Sequence, residues 1–201
     1  MQSDVRKIVI SGTGAAAGAA AVATAVSLQG SGISITLLLS PSSGNPRPVD
    51  VFRGGPMGFH TKLGIEESGL CRQTHAVYGM GARYRGLSES GDDVFVPLGT
   101  HGKTLRLVDF HHYVAKLRVD DGAQHFNDWS AAATAARTER FDPAQADLEP
   151  ALRLREYDLY VDSDRYLDAM LARASALGVR VVRQSPLNAE LNAEGMLDSV
   201  T

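Results

Sequence analysis

The clearest hydrophobic pattern in the chain lies within residues 6–41, where two short apolar segments flank an alanine-rich one. The pattern predicts a strand over 8–11, a helix that runs to about Leu28, and a second strand over 33–39. Gly12 and Gly14 form a glycine-rich turn between the first strand and the helix. This order is typical of the opening unit of a dinucleotide-binding domain, because a turn without side chains lets the backbone approach a pyrophosphate.

The turn therefore predicts a phosphate site built from backbone N–H groups at the start of the helix. The candidate cofactor-binding residues are Gly12, Thr13, Gly14, Ala15 and Ala16. One alternative is a tight turn that binds nothing. Another is a secretory signal, since Arg6 and Lys7 precede a small apolar run. Asp4 lies in what should be a positive region, and the second strand follows at the spacing of a folded unit, so we favour the folded interpretation.

The middle of the chain gives weaker signals. Residues 40–60 are rich in Pro, Gly and Ser and predict a long loop. The patterns that follow predict a short helix within 63–74, strands over 77–84 and 94–97, helices over 109–117 and 126–137, and a surface connection over 141–155. Asn127 or Asp128 is the expected N-cap of the second of these longer helices.

The C-terminal segment is again clearly patterned. Asp162 is predicted to cap a helix that ends at Gly178, and a strand follows over 179–182. Residues 184–201 predict a hairpin of an adjoining smaller sheet. The alternation of strands and helices predicts one α/β domain over 1–201, with three layers around a parallel sheet.

Composition narrows the classes of partner. The net charge of -3 leaves no basic surplus, so we expect neither nucleic acid nor a membrane surface as a partner. Cys71 is the only cysteine, which excludes an internal disulfide and a cysteine-based zinc site and fits the reducing cytoplasm. His111 and His112 are adjacent and are expected to point to different sides of a helix, so we expect no metal site.

Several longer stretches carry a family resemblance. They are IVISGTGAAAG, LGIEE, AVYGMGARY with GDDVFVPLG, VDFHHYVAKLR, FNDWSAAATAAR and YVDSDRYLDAMLARASALGVRVV. In this order and spacing the chain resembles the N-terminal part of the flavin-dependent tryptophan halogenases, a branch of the glutathione-reductase-like FAD proteins. The resemblance implies an FAD/NAD(P)-binding Rossmann-like fold that is incomplete at its C-terminus, with FAD as cofactor. It also places Leu187 beside the adenine, although a plain core position explains Leu187 equally well.

The resemblance also implies a chemistry. Such enzymes receive reduced FAD from a partner reductase and use dioxygen to form a flavin hydroperoxide, which oxidises chloride or bromide. The resulting hypohalous acid reaches a lysine that presents it to an aromatic ring such as the indole of tryptophan. The protein holds the flavin, excludes water and orients the ring.

The chain departs from the family pattern at several sites. Gly79 stands at the position of the family's lysine, and Arg83 cannot replace an amine because a guanidinium stays protonated. A loop around Gly54, Gly55 and Pro56 replaces a stretch that contacts the flavin. No acidic residue occurs between Asp4 and Asp50, so the carboxylate expected to hold the adenosine ribose is missing.

We therefore expect no catalytic residue in this chain and no halogenation by the chain alone. Two functions remain open. The chain is either the FAD-binding part of a halogenase-like flavoenzyme, whose remaining portion is supplied separately, or a degenerate relative that binds a halogenase-like partner without redox chemistry. A flavin reductase is a further expected partner of the first. In both cases we expect association through exposed apolar surface.

Overall fold

The computed structural model describes residues 5–41, 48–56, 58–87, 91, 93–121, 125–143, 156–186, 188–193, 195 and 197–200, with backbone alone for 118–121. The described strands are β1 (Lys7–Gly12), β2 (Ser34–Leu39), β3 (Val49–Arg53), β4 (Val77–Gly79), β5 (Gly81–Tyr84), β6 (Val94–Pro97), β7 (Asp158–Asp162), β8 (Arg180–Val182), β9 (Ala189–Leu191) and β10 (Leu197–Val200). The described α-helices are α1 (Gly14–Ser27), α2 (Phe59–Lys62), α3 (Glu67–Thr74), α4 (Phe110–Asp121), α5 (Ala131–Thr138) and α6 (Ser163–Ala176).

The described residues fall into two compact units. The first takes its residues from 1–50, 68–76 and 161–201, and the second from 51–67 and 77–160. The sequence predicted one domain and gave no sign of this division, because the chain enters each unit more than once. Each unit is described by itself below.

The first unit contains the parallel sheet that the sequence predicted. Its strand order is β1-β2-β8, and both pairs are parallel. The side chains of β2 alternate between the two faces, and Ile35, Leu37 and Leu39 are buried on one of them. β9 and β10 form an antiparallel hairpin, as predicted for the C-terminal segment.

Helices α1 and α6 pack against each other and against this sheet. Ala21, Val22 and Ala25 of α1 and Met170 and Ala174 of α6 are buried. The short alanine side chains permit a close approach of the helices. At Gly18 the approach is closest, since a Cβ placed there would lie 3.0 Å from Met170 Cβ.

The predicted ends of α6 are confirmed. The Asp162 carboxylate accepts a hydrogen bond from the Arg165 backbone N–H at 2.9 Å, as an N-cap does. The helix ends just before Gly178, whose φ of 85° lies in the left-handed region.

The second unit contains a sheet of order β3-β7-β4 and a two-stranded antiparallel ribbon of β5 and β6. β4 pairs antiparallel with β7. Val114 on α4 is buried, as its predicted apolar face requires, while Leu117 on the same helix is exposed.

Several predictions for the second unit are wrong in detail. Residues 40–60, predicted as one loop, contain β3 and the start of α2, while 42–47 and 57 lie outside the described residues. The single strand predicted over 77–84 is two strands that belong to different sheets. β7 was not predicted, because residues 158–161 lie between the predicted connection over 141–155 and the predicted helix cap at Asp162 and were assigned to no element.

The helix predicted over 126–137 is also two elements. A 3-10 helix covers Phe126–Trp129, and α5 begins after Ser130, whose hydroxyl accepts from Ala133 N–H at 3.2 Å. Ser130 is therefore the N-cap of α5, in place of Asn127 or Asp128. The Asn127 side chain instead donates to the Phe95 carbonyl at 2.7 Å. Most of the predicted surface connection lies outside the described residues.

Within the described part of the chain, no helix combines the length and the apolar character needed to cross a bilayer.

The close approach at Gly18 yields a test of the packing of the first unit. Gly18→Val places a branched side chain against Met170 Cβ and Leu167 Cδ1, which lie 3.0 Å and 3.2 Å from the added Cβ. We expect a loss of about 1–3 kcal/mol in the free energy of unfolding, from overpacking. Ala20→Val, on the exposed side of the same helix, is the matched control and should cost about 0.5 kcal/mol. Urea unfolding measures both, and equal losses would contradict the helix packing.

Candidate functional site

The glycine turn lies at the carboxyl end of β1, between Gly12 and the first residue of α1. Gly14 has a φ of 62°, in the left-handed region that favours glycine. A Cβ on Gly12 would lie 3.0 Å from the Ala17 Cβ. A side chain at Gly14 would strain the backbone, and a side chain at Gly12 would crowd Ala17. Ala17 occupies the third position of the glycine pattern and packs directly against the turn, so a small residue is needed there too.

The space in front of the turn is open. A Cβ built on Gly14 meets no described atom within 4 Å. The Thr13 side chain makes no capping hydrogen bond, and the first turn of α1 contains no acidic residue. No described atom therefore fills the space beside the Gly14 Cα, and no capping or acidic side chain of the first turn occupies the positive end of the α1 dipole.

The predicted cofactor-binding residues are brought together at this turn. Thr13 and Ala16 are exposed, Gly12 and Gly14 are half-buried, and Ala15 is buried. Their role as ligands of a cofactor stays a prediction. Leu187, predicted beside the adenine, lies outside the described residues.

The end of β2 lies directly beside the turn. Leu39 is paired with Gly12 in the sheet, and Ser40 N–H donates to the Gly12 carbonyl at 2.9 Å. Leu39 is buried and Ser40 is half-buried. Apart from backbone groups, Ser40 can offer only a hydroxyl where a nucleotide-binding domain usually has a carboxylate. Pyrophosphate binding at the turn stays a prediction, and the sequence has no carboxylate between Asp4 and Asp50 to bind a ribose.

Gly79, in the second unit, is covered by an aromatic ring. A Cβ on Gly79 would lie 2.5 Å from Tyr160 Cε2. Tyr160 lies on β7, opposite Val77 of β4. Its ring therefore reaches Gly79, two residues further along β4, diagonally across the strand pair. A longer side chain at position 79 therefore requires the ring of Tyr160 to move.

The loop that follows β3 is held by one carboxylate. Glu67 accepts hydrogen bonds from the Gly55 N–H at 3.1 Å and from the Tyr157 hydroxyl. Gly54 N–H donates to the Tyr157 carbonyl at 2.8 Å. A Cβ on Gly54 would lie 2.4 Å from the Tyr157 ring, so only glycine fits at this position.

Sequence reasoning missed Glu67 and Tyr157. They are 90 positions apart and belong to no shared motif, so no local signal was available. The Tyr157 ring also packs edge-on against Phe141 and Tyr78, with ring centroids 4.9 Å and 5.5 Å away. This aromatic cluster fixes Tyr157, and Tyr157 fixes the carboxylate that holds the loop.

The histidines behave differently from the prediction. His111 and His112 have ring centroids only 4.0 Å apart, so they do not point to opposite sides of α4. His101 stacks on Phe126 and makes a hydrogen bond with the Asn127 side chain at 3.0 Å. Among the residues described by the structure, no group of three or more His, Cys, Asp or Glu side chains could hold a metal ion. The expectation that the chain has no metal site stays a prediction.

Comparison with known proteins places this arrangement in a family. The model of the tryptophan halogenase family matches residues 7–201. The chain belongs to the tryptophan halogenase family. A search of curated protein sequences finds no significant match.

Solved structures of flavin-dependent halogenases share the fold of this family member. BrvH from Brevundimonas sp. BAL3 superimposes with a TM-score of 0.81 at 24% identity, over 98% of this chain and 39% of BrvH. A flavin-dependent halogenase from Xanthomonas campestris gives 0.83 at 23% identity, over 98% and 39%. A tryptophan halogenase from Shewanella frigidimarina NCIMB 400 gives 0.73 at 17% identity, over 100% and 40%. The chain thus has the FAD-binding Rossmann-like α/β fold and spans about two-fifths of each solved chain.

His60 lies beside the loop that Glu67 holds and is 1% exposed. Its ring packs edge-on against Phe52 and Phe59, with ring centroids 5.1 Å and 5.4 Å away. Burial lowers the pKa of His60 below its ordinary value, and the negative charge of Glu67 opposes this in part. The folded chain therefore binds a proton at this imidazole less readily than the unfolded chain does.

The lowered pKa of His60 predicts a pH dependence of stability. Protonation favours the unfolded chain, so the stabilisation is full above the unfolded pKa of about 6.5 and is lost as the pH falls toward the folded pKa. We expect the free energy of unfolding to fall as the pH falls below about 7.5, and His60→Gln to flatten this slope while lowering stability overall. His112→Gln, on the exposed surface, is the control. An unchanged slope in His60→Gln, measured by urea unfolding across this range, would exclude His60 as the cause.

Proposed function

We propose that the chain binds FAD at the glycine turn of the first unit and does not halogenate an aromatic substrate by itself. The proposed FAD binding rests on the open space beside Gly14, at the carboxyl end of β1. The proposed absence of halogenation rests on Gly79, which has no amine and is covered by the Tyr160 ring. In this proposal the chain is the FAD-binding part of a halogenase-like flavoenzyme, and reduced FAD and dioxygen supply the oxidising chemistry when the flavin is bound.

The residues of the turn would bind the pyrophosphate through the backbone. N–H groups from Thr13 to Ala16 would donate to phosphate oxygens, and the dipole of α1 adds a partial positive charge. Gly12 and Gly14 let the phosphate approach, since neither carries a Cβ. No side chain at the turn needs a charge for this role, which agrees with its composition of Gly, Thr and Ala.

The missing ribose carboxylate weakens the proposed site. A hydrogen bond to a charged group contributes about 1.5–3 kcal/mol, so its loss lowers affinity by about tenfold or more. Ser40 can compensate only in part, because its hydroxyl is neutral and half-buried. We therefore expect FAD to bind more weakly than to a domain with the complete pattern.

Two glycine variants separate FAD binding from fold stability. Gly14 and Gly30 both have positive φ, 62° and 81°, and a Cβ at either position meets nothing within 4 Å. Alanine at each should therefore cost a similar backbone strain of about 1–2 kcal/mol. Only Gly14→Ala places a methyl group where the pyrophosphate would lie. We expect Gly14→Ala to weaken FAD binding at least tenfold and Gly30→Ala to leave it unchanged, as measured by flavin fluorescence titration.

A colourless protein that takes up no added FAD would overturn the proposal. Equal losses of affinity in Gly14→Ala and Gly30→Ala would show that the flavin binds elsewhere or that both variants act through folding.

The proposed absence of halogenation is tested at Gly79. With FAD, a flavin reductase, NADH, dioxygen and bromide, we expect no brominated tryptophan or indole from the wild type or from Gly79→Lys, against an active halogenase as positive control. Gly79→Lys should also lose about 1–3 kcal/mol of stability, since its Cβ displaces the Tyr160 ring. Tyr160→Ala in the same chain should recover part of this loss. A brominated product from the wild type would contradict the proposal.

The exposed apolar side chains of the first unit favour a second candidate function. Val9 on β1 is 39% exposed, although β1 belongs to a parallel sheet, a type of sheet normally covered on both faces. Such a surface suits a non-catalytic member of the family that binds a halogenase-like partner chain.

A flavin reductase is a proposed partner only if the chain is part of a flavoenzyme, since only that candidate function uses reduced FAD. A cytoplasmic location belongs to both proposals and is supported by the cysteine content, since Cys71 is the only cysteine in the sequence.

A further inference from the structure

The outer edge of β1 is open. β1 lies at the end of the order β1-β2-β8, and within the described residues it pairs only with β2. It is six residues long, and no residue in it is fully buried. An unpaired strand edge of this length presents a row of N–H and C=O groups that can pair with another chain.

The sequence of β1 is unusual for an edge strand. Ile8, Val9 and Ile10 form a continuous apolar run, which is typical of a central strand of a parallel sheet. The strand contains no proline, and its register with β2 is regular over all six residues, so neither proline nor a bulge protects the edge. Its only charged residue is Lys7, at the first position.

The hydrogen bonds of β1 show which groups face outward. The Arg6 and Gly12 carbonyls accept from Ser34 and Ser40 N–H at 3.0 Å and 2.9 Å, so both point toward β2. Backbone groups alternate in direction along a strand, so the even-numbered residues between them also face β2. The odd-numbered residues Lys7, Val9 and Ser11 therefore direct their N–H and C=O groups to the open edge.

The position of the glycine turn indicates that a further parallel strand would fit outside β1. In doubly wound sheets the ligand lies at the carboxyl ends of the strands, where the strand order reverses beside the first strand. The order β8-β2-β1 is one half of such a sheet, with the turn on its last strand. A parallel strand added outside β1 would create the reversal and the second wall of the crevice.

We propose that the outer edge of β1 binds an apolar strand, parallel to β1, from a polypeptide that carries the part of the halogenase fold this chain does not match. This chain matches about two-fifths of the length of each solved halogenase. In those proteins the matching part therefore occurs together with a larger part that has no counterpart here. The inference deepens the proposed function, because the added strand would complete the FAD crevice at Gly14. A second copy of this chain is the competing occupant.

Co-expression tests this inference with the whole 201-residue chain. The probe is the portion of the Xanthomonas campestris halogenase that has no counterpart here, carrying an affinity tag. Val9→Pro removes one outward N–H and leaves the bonds to β2 intact, because proline is tolerated at the open side of an edge strand. Val9→Thr keeps the N–H and is the matched control. We expect a 1:1 complex with wild type and Val9→Thr, and at least tenfold less recovery with Val9→Pro.

Hydrogen exchange of the wild-type complex gives a readout that does not depend on a variant. The amides of Val9 and Ser11 should exchange slowly only in the complex, whereas those of Ile8 and Ile10 should be protected in both states. FAD alone should protect Thr13 to Ala16 and leave Val9 unchanged, so failure of FAD binding and failure of strand pairing are separate results.

Three results would overturn the inference. They are no capture of the wild-type chain, capture that Val9→Pro does not reduce, and protection of Val9 and Ser11 in the chain alone as its concentration rises. The last result, with a dimer by light scattering, would assign the edge to a second copy.

Discussion

The contact between the glycine turn and the first helix is the constraint on which the first unit depends. Gly12 and Ala17 lie so close that a single methyl group on the glycine would meet the alanine side chain at 3.0 Å. Gly12 therefore lets the first turn of α1 lie close to the end of β1. The same turn contains Gly14, whose side-chain direction meets no described atom, so packing and the candidate phosphate site involve the same few residues.

The second unit is organised around a different kind of interaction. Glu67 joins the loop after β3 to Tyr157 by hydrogen bonds, and the rings of Tyr78 and Phe141 hold Tyr157 in place. Such a network is stable only when each buried polar group has a partner. It holds a loop where the family resemblance places a flavin-contacting stretch, so this chain has a defined structure there despite its different sequence.

Family membership and catalytic activity depend on different features of this chain. Membership in the tryptophan halogenase family rests on a match over residues 7–201, and the fold agrees with the solved halogenases. Activity depends on individual side chains, and this chain lacks two expected groups: an amine at position 79, which is glycine, and a carboxylate directly after β2. The fold can be present without these groups, because a fold and the chemistry of its sites are specified by different residues.

Local sequence patterns determined the elements that local forces can form. The β1–α1–β2 unit, the cap at Asp162 and the C-terminal hairpin were all predictable, because periodic apolar residues, capping groups and turn residues act over a few positions. The same patterns located the glycine turn and its five candidate residues.

Only the tertiary structure decided the rest, because it depends on contacts between distant positions. β3 and β7 were not predicted, and the strand predicted over 77–84 proved to be β4 and β5 in two different sheets, because the pairing of these strands depends on segments far apart in the chain. The ring of Tyr160 over Gly79, the carboxylate of Glu67 on its loop and the open edge of β1 are likewise properties of partners brought together by folding. The sequence by itself determined which segments could form strands and helices, and folding decided what each of them touches.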